Sequence, residues 1–171
     1  AIDIEKDPCE QAVKNIGMSP FKDKISVIHQ SFTEFATNKK YDLIVSNPPY
    51  FTHSLKSPDK KRSMARHNDS LPLKPLFEHA MPMLSENGKI ALVLPATYID
   101  EVDFITATHR LYIIRRTKVV PVEGSKPKRF LIEISAKAPS GYIPKTDMLV
   151  LTIREHKRTY EYNHLTEDFY L

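Results

Sequence analysis

The octapeptide Leu43-Ile44-Val45-Ser46-Asn47-Pro48-Pro49-Tyr50 changes character halfway along. Its first three residues form a continuous apolar run, the pattern of a strand buried on both faces as in a parallel sheet. Two consecutive prolines then remove the N–H groups that a ladder needs, so the strand must stop. A plain strand-ending turn would account for the prolines alone. Their neighbours ask for more. Asn47 brings an amide oxygen that accepts from an amino group, the prolines stiffen the backbone around their carbonyls, and Tyr50 presents a flat face. Together these residues make a clamp for a planar, amino-bearing group.

Upstream, Asp7 before Pro8 reads as an N-capping carboxylate followed by a proline at the first helical position. Cys9, Ala12, Val13 and Ile16 recur at helical spacing, and Gly17 offers a left-handed stop, which predicts a helix over residues 7 to 17. Ala1 to Ile4 reads as the end of a strand, and Ile25 to His29 as another. Downstream, the apolar pattern from Pro75 to Leu84 predicts a helix that Pro82 kinks or breaks. Residues 89 to 94 read as a buried strand, 98 to 110 as a helix, and 112 to 122 as a long strand. Gly124-Ser125-Lys126-Pro127 turns into a strand over 129 to 136, an antiparallel hairpin. Residues 148 to 154 suggest an edge strand, and the tail through Tyr160, Tyr162 and Tyr170 carries no clear pattern. This alternation predicts an α/β fold, a doubly wound sheet with an antiparallel end strand, formed by residues 1 to 171 as a single domain. Ligands of such sheets sit beyond the carboxyl ends of the strands, which singles out Asp3, Gln30 to Phe32, Asn47 to Tyr50, and Pro95.

Composition narrows the chemistry. The 171 residues carry 25 Lys and Arg against 21 Asp and Glu, a formal net charge of +4, mild for a nucleic-acid binder. One cysteine, Cys9, excludes an internal disulfide framework and multi-cysteine zinc patterns, and suits a reducing cytoplasm. The seven histidines lack ligand-like spacing, so no metal is expected. No apolar run approaches the roughly 20 residues of a membrane-spanning helix. With 4 glycines, the chain holds no glycine-rich phosphate cradle. Cys9 falls on an apolar helix face and reads as core; Asp42 reads as a local cap; no nucleophile elbow surrounds a serine.

Asn-Pro-Pro-Tyr after such a strand resembles the hallmark of S-adenosylmethionine-dependent methyltransferases that modify planar amino nitrogens in adenine, guanine or glutamine. Asp3 within Ile2-Asp3-Ile4-Glu5 looks like that fold's acidic residue for the cofactor ribose, with Ile4 beside it. Gly88 to Pro95 and the hairpin before Ala136 are similar to the closing strands of the Rossmann-like class I methyltransferase sheet. Arg62-Ser63-Met64-Ala65-Arg66-His67, the leucine-rich helix after it and the terminal Asp168-Phe169-Tyr170-Leu171 resemble the bacterial enzymes that methylate the adenine 6-amino group beside the anticodon of valine tRNA. The family's glycine-rich first motif has no counterpart and would precede Ala1. The resemblance therefore implies an N-terminally incomplete fold that binds cofactor poorly or not at all as it stands. The position that often carries an acidic residue against the cofactor adenine is Ser31, which would contact it through hydroxyl or backbone, while Phe32 would stack on it.

The resemblance implies methyl transfer from S-adenosylmethionine to an amine whose lone pair is delocalised into its ring. Asn47 and the Pro48 carbonyl would accept from the amino hydrogens, with Asn47 also against the cofactor, while Tyr50 would stack on the base and Pro49 would line the substrate side. A tRNA partner fits Lys60, Lys61, Arg62 and Arg66, with Lys56, in a segment without hydrophobic period; a solvated loop is the plain alternative. Arg115, Arg116 and Lys118, then Lys126, Lys128 and Arg129, form a second basic region that could equally face water. Competing functions are a protein-glutamine or other nucleic-acid amino methyltransferase, and a non-catalytic RNA-binding module.

Overall fold

The computed structural model describes residues 1–49, 72–154 and 157–169. Its main sheet has five strands in the order β3-β4-β6-β5-β7: β3 (Tyr41–Ser46), β4 (Leu84–Pro95), β5 (Tyr112–Val122), β6 (Arg129–Ser135) and β7 (Lys145–Thr152). β3, β4, β5 and β7 run parallel and β6 runs against them. A separate parallel pair, β1 (Ile2–Asp3) and β2 (Ile28–His29), flanks helix α1 (Lys6–Gly17) in sequence. Helices α2 (Leu73–Ala80) and α3 (Ile99–Thr108) supply Leu73, Leu76, Phe77, Val102 and Ile105 to a core with Ile90, Leu92, Leu94, Ile132 and Ile134. The alternation of apolar and polar residues along β4 and β6 is what turns these isoleucines and leucines to one face. A short helix α4 (Tyr160–Thr166), capped by Thr159, whose hydroxyl accepts from the Tyr162 N–H, follows β7.

The α/β class and the β5–β6 hairpin are as the sequence predicts, and several details differ. Among the described residues β3 lies at the edge of the main sheet: Leu43 and Val45 are 55% and 68% exposed, while Ile44 turns to the core. An apolar run records which residues are apolar, not how many neighbours the strand has. The reversed strand β6 lies inside the sheet, and the parallel β7 takes its edge. Helix α1 starts at Lys6 with Glu5 in the capping position, so Asp7 sits in the first turn and makes no side-chain cap. Gly17 remains helical; Met18 ends the helix in a right-handed conformation. Residues 25 to 27 stay outside β2 because β1 offers only two partners. Pro82 ends α2 at Ala80 and opens a single 3₁₀ turn over Met81–Met83. Cys9 is buried, and exposed Asp42 accepts from the Ser85 hydroxyl at 2.7 Å.

Candidate active site

The β3 ladder ends where its N–H groups run out. Ser46 is the last residue in register, opposite Leu92, and Asn47-Pro48-Pro49 continue past it with Pro48 buried and Asn47 and Pro49 exposed. Burial of the Pro48 ring anchors the turn and leaves the Asn47 amide at the surface of the sheet's carboxyl edge. Beside it, β4 runs on to Pro95, which pairs with Arg129 of β6. The Ala96 N–H donates to the Lys128 carbonyl at 3.0 Å, so the exits of β3 and β4 and the start of β6 share one edge.

The second group of predicted site residues stands at the exits of β1 and β2. Asp3 pairs with His29, and the Gln30 N–H donates to the Asp3 carbonyl at 2.9 Å. One carboxylate oxygen of Asp3 accepts from the Glu5 N–H at 2.9 Å; the other engages no described residue. That arrangement fits the vicinal hydroxyls of a ribose, since a fixed carboxylate with a spare oxygen is an acceptor for a diol. His29 Nε2 lies 3.0 Å from the carbonyl of Ile4, whose side chain is exposed.

Ser31 begins a 3₁₀ turn over Phe32–Glu34, with its carbonyl accepting from the N–H groups of Glu34 and Phe35 and its hydroxyl 3.0 Å from that of Thr33. The Phe32 ring is half-buried against the core and meets His79 of α2 edge-on, centroids 5.1 Å apart, while His79 Nε2 lies 2.6 Å from the Phe35 carbonyl. Phe32 thus ties the β2 exit to α2. The structure therefore brings Asp3, Ile4 and Ser31 to adjoining strand ends and sets Asn47, Pro48 and Pro49 at the end of β3. Tyr50, Lys56, Lys60, Lys61, Arg62 and Arg66 lie outside the described residues. Among the described residues, no group of three or more His, Cys, Asp and Glu could hold a metal ion, and no helix is long and apolar enough to cross a membrane.

The family model of the Eco57I restriction-modification methylases matches residues 2–120. The tRNA1(Val) (adenine(37)-N6)-methyltransferase of Parabacteroides distasonis is 44% identical over 173 aligned residues, which take in 100% of this chain and 72% of that protein. The enzyme of the same name from Bacteroides thetaiotaomicron is 37% identical, over 100% of this chain and 71% of its own length. Among solved structures, a predicted O-methyltransferase, Atu636 from Agrobacterium tumefaciens, superposes with a TM-score of 0.67 at 15% identity, covering 97% of this chain and 75% of that one, a likeness of fold. With an Asn-Pro-Pro turn closing β3 and identity of this order along its whole length, the chain belongs to the family of the tRNA1(Val) (adenine(37)-N6)-methyltransferases.

Proposed function

We infer that the protein of which residues 1–171 form part of one methyltransferase domain transfers a methyl group from S-adenosylmethionine to the 6-amino nitrogen of the adenine at position 37 of valine tRNA, in the bacterial cytoplasm. The observation that carries the reading is identity to enzymes of that name along the whole chain, together with Asn47 and Pro48 at the carboxyl end of β3.

When bound, S-adenosylmethionine supplies an electrophilic methyl on a sulfonium; the protein's part is to hold and aim the amine. Asn47 Oδ1 and the Pro48 carbonyl accept from the two amino hydrogens. Drawing on both N–H bonds favours pyramidal nitrogen, points the lone pair outward and stabilises the positive charge that grows there. No strong base is needed at that stage: as the new C–N bond forms the methyl–sulfur bond breaks to leave a neutral thioether, and the nitrogen then gives up one proton to water. Pro48 and Pro49 keep both acceptors from relaxing, because their rings fix φ. Tyr50 stacks on the adenine once it leaves the loop, a contact worth about 1–3 kcal/mol against an extrusion cost of a few kcal/mol. Asp3 holds the ribose hydroxyls of the cofactor, Ile4 and Ser31 flank them, and Phe32, braced on His79 of α2, stands beside its adenine. Lys60, Lys61, Arg62 and Arg66 neutralise backbone phosphates.

The test is incubation of the protein, as its gene encodes it, with labelled S-adenosylmethionine and unmodified valine tRNA, followed by nucleoside analysis. Labelled 6-methyladenosine is the expected product. Label in a protein glutamine or another nucleic acid would overturn the substrate, and tRNA binding with neither cofactor binding nor transfer would indicate a non-catalytic RNA-binding module.

A further inference from the structure

The main sheet treats its cations in two ways. Across its face most are paired: Lys89 with Glu133 at 3.2 Å, Arg115 and Lys145 with Asp147 at 2.5 and 3.7 Å, and Arg116 with Asp103, while Lys118 stands exposed on β5. Along its carboxyl edge more of them gather on two turns. The β5–β6 turn exposes Lys126 and Lys128, with Arg129 opening β6, and the turn after β7 exposes Arg154, Lys157 and Arg158. Lys126, Lys128, Arg129 and Arg154 form no ion pair with a described residue, and Glu123, also exposed, stands in the same hairpin. Glu155 lies outside the described residues.

These two turns are joined into one strip. The Glu123 N–H donates to the Thr152 carbonyl at 2.9 Å, and a β-carbon on Gly124 would stand 3.7 Å from Arg154 Nη2, so that guanidinium lies over the tip of the hairpin. The Ile153 N–H donates to the Lys157 carbonyl at 2.9 Å, and the Arg158 guanidinium carbon stands 5.6 Å from the centroid of Tyr162. At the other end the strip is fixed to the candidate site, because Lys128 donates its N–H to Val119 and accepts from the Ala96 N–H at the β4 exit. Adjacent strands lie about 4.8 Å apart, so β6 stands about 10 Å from β3 and β7 about 19 Å, measured along the edge that carries Asn47. That distance suits phosphates of nucleotides flanking an extruded base, not the base itself.

We propose that this strip, from Lys126, Lys128 and Arg129 to Arg154, Lys157 and Arg158, is a second phosphate-binding surface that holds the backbone of the RNA substrate while the base occupies the Asn47 turn. The proposal rests on the RNA reading above. The strip supplies affinity and orientation without sequence information, since phosphate contacts carry none.

The test compares Lys126→Gln/Lys128→Gln with a matched pair, Lys22→Gln/Lys24→Gln, two exposed lysines of the loop that leads into β2. Binding of unmodified valine tRNA is followed across a salt series, alongside transfer kinetics. The Lys126/Lys128 variant is expected to bind more weakly, to lose about one unit of log–log salt slope per lysine, and to raise KM for tRNA with kcat unchanged. Another bacterial tRNA should lose affinity by the same factor, and the Lys22/Lys24 pair should change neither slope nor KM. An unaltered slope in the Lys126/Lys128 variant, or equal flattening in the matched pair, overturns the strip while wild-type transfer to tRNA keeps the functional reading intact. Failure of the wild-type protein to methylate or bind tRNA overturns both.

Discussion

Asn47 and Pro48 divide their work between a side chain and a backbone, and substitution separates the two. Asn47→Ala removes an acceptor that matters most as charge develops on the amine. Loss of a preorganised group of this kind costs about 10²–10³ in kcat, so kcat should drop by that order while KM for tRNA stays close to wild type. Full turnover by the variant would remove Asn47 from the reaction. A second residue-scale expectation concerns Glu86, whose carboxyl is held below its ordinary value by the hydrogen bond from Lys137 at 2.8 Å and by the ammonium charge. Its contribution to stability is present above the ordinary carboxylate range and is lost as pH falls through the lowered value. Lys137→Ala should raise the Glu86 midpoint in a carboxyl-carbon NMR titration; an unmoved midpoint would mean that the pair is open in solution. At this scale the sequence was legible wherever covalent structure decides. Prolines without N–H end β3 whatever surrounds them, which is why Asn47 could be placed in advance. Asp3 was marked by its place at a strand's end, but its role came only through resemblance, because its strand is two residues long and its carboxylate contact is to the Glu5 N–H.

At the scale of elements, β4 holds a constraint that no periodicity reveals. Tyr41 pairs with Leu84 and Leu43 with Lys89, so five steps along β4 match two along β3, and the surplus is folded tightly around Gly88. A β-carbon there would lie 2.7 Å from the Tyr41 carbonyl oxygen and 2.9 Å from the Ser85 nitrogen, both backbone atoms that cannot swing aside. The Gly88 carbonyl also accepts from the buried Ser135 hydroxyl at 3.3 Å. Gly88→Ala should therefore destabilise by about 1–3 kcal/mol through overpacking and lower the melting temperature by several degrees. An unchanged melting temperature would show that the bulge relaxes freely. Asn87-Gly88 read as a turn in the sequence, and it falls inside a strand because the register shift absorbs the turn. β5 and β6 were legible for the opposite reason. Their hairpin is local, and Gly124 at φ +78° supplies the conformation that the turn requires. Whether a strand lies inside a sheet or at its edge is a long-range fact, and β3, β6 and β7 show how little of it the local pattern holds.

The two sheets are held unequally. β4, β6, β5 and β7 are laced by long ladders, and β4, β6 and the start of β5 share a core with α2 and α3. The β1–α1–β2 unit has two short paired strands, one buried helix residue in Cys9, and its link to the rest through Phe32, His79 and the Phe35 carbonyl. The α/β class was legible from the alternation of elements, but this division was not, since each strand's pattern is blind to its neighbours in space. Separate opening follows from it. Amides of residues 2 to 29 should exchange with solvent deuterium through a low-energy local transition, while those of β4 and β6 wait for global unfolding. Uniform protection across both regions would show that the two sheets open together. A ligand that touches both Asp3 and Asn47 adds its binding free energy to the contacts of this unit, so it should slow exchange at β1 and β2 more than at β4, and site occupancy could be followed from those few amides alone.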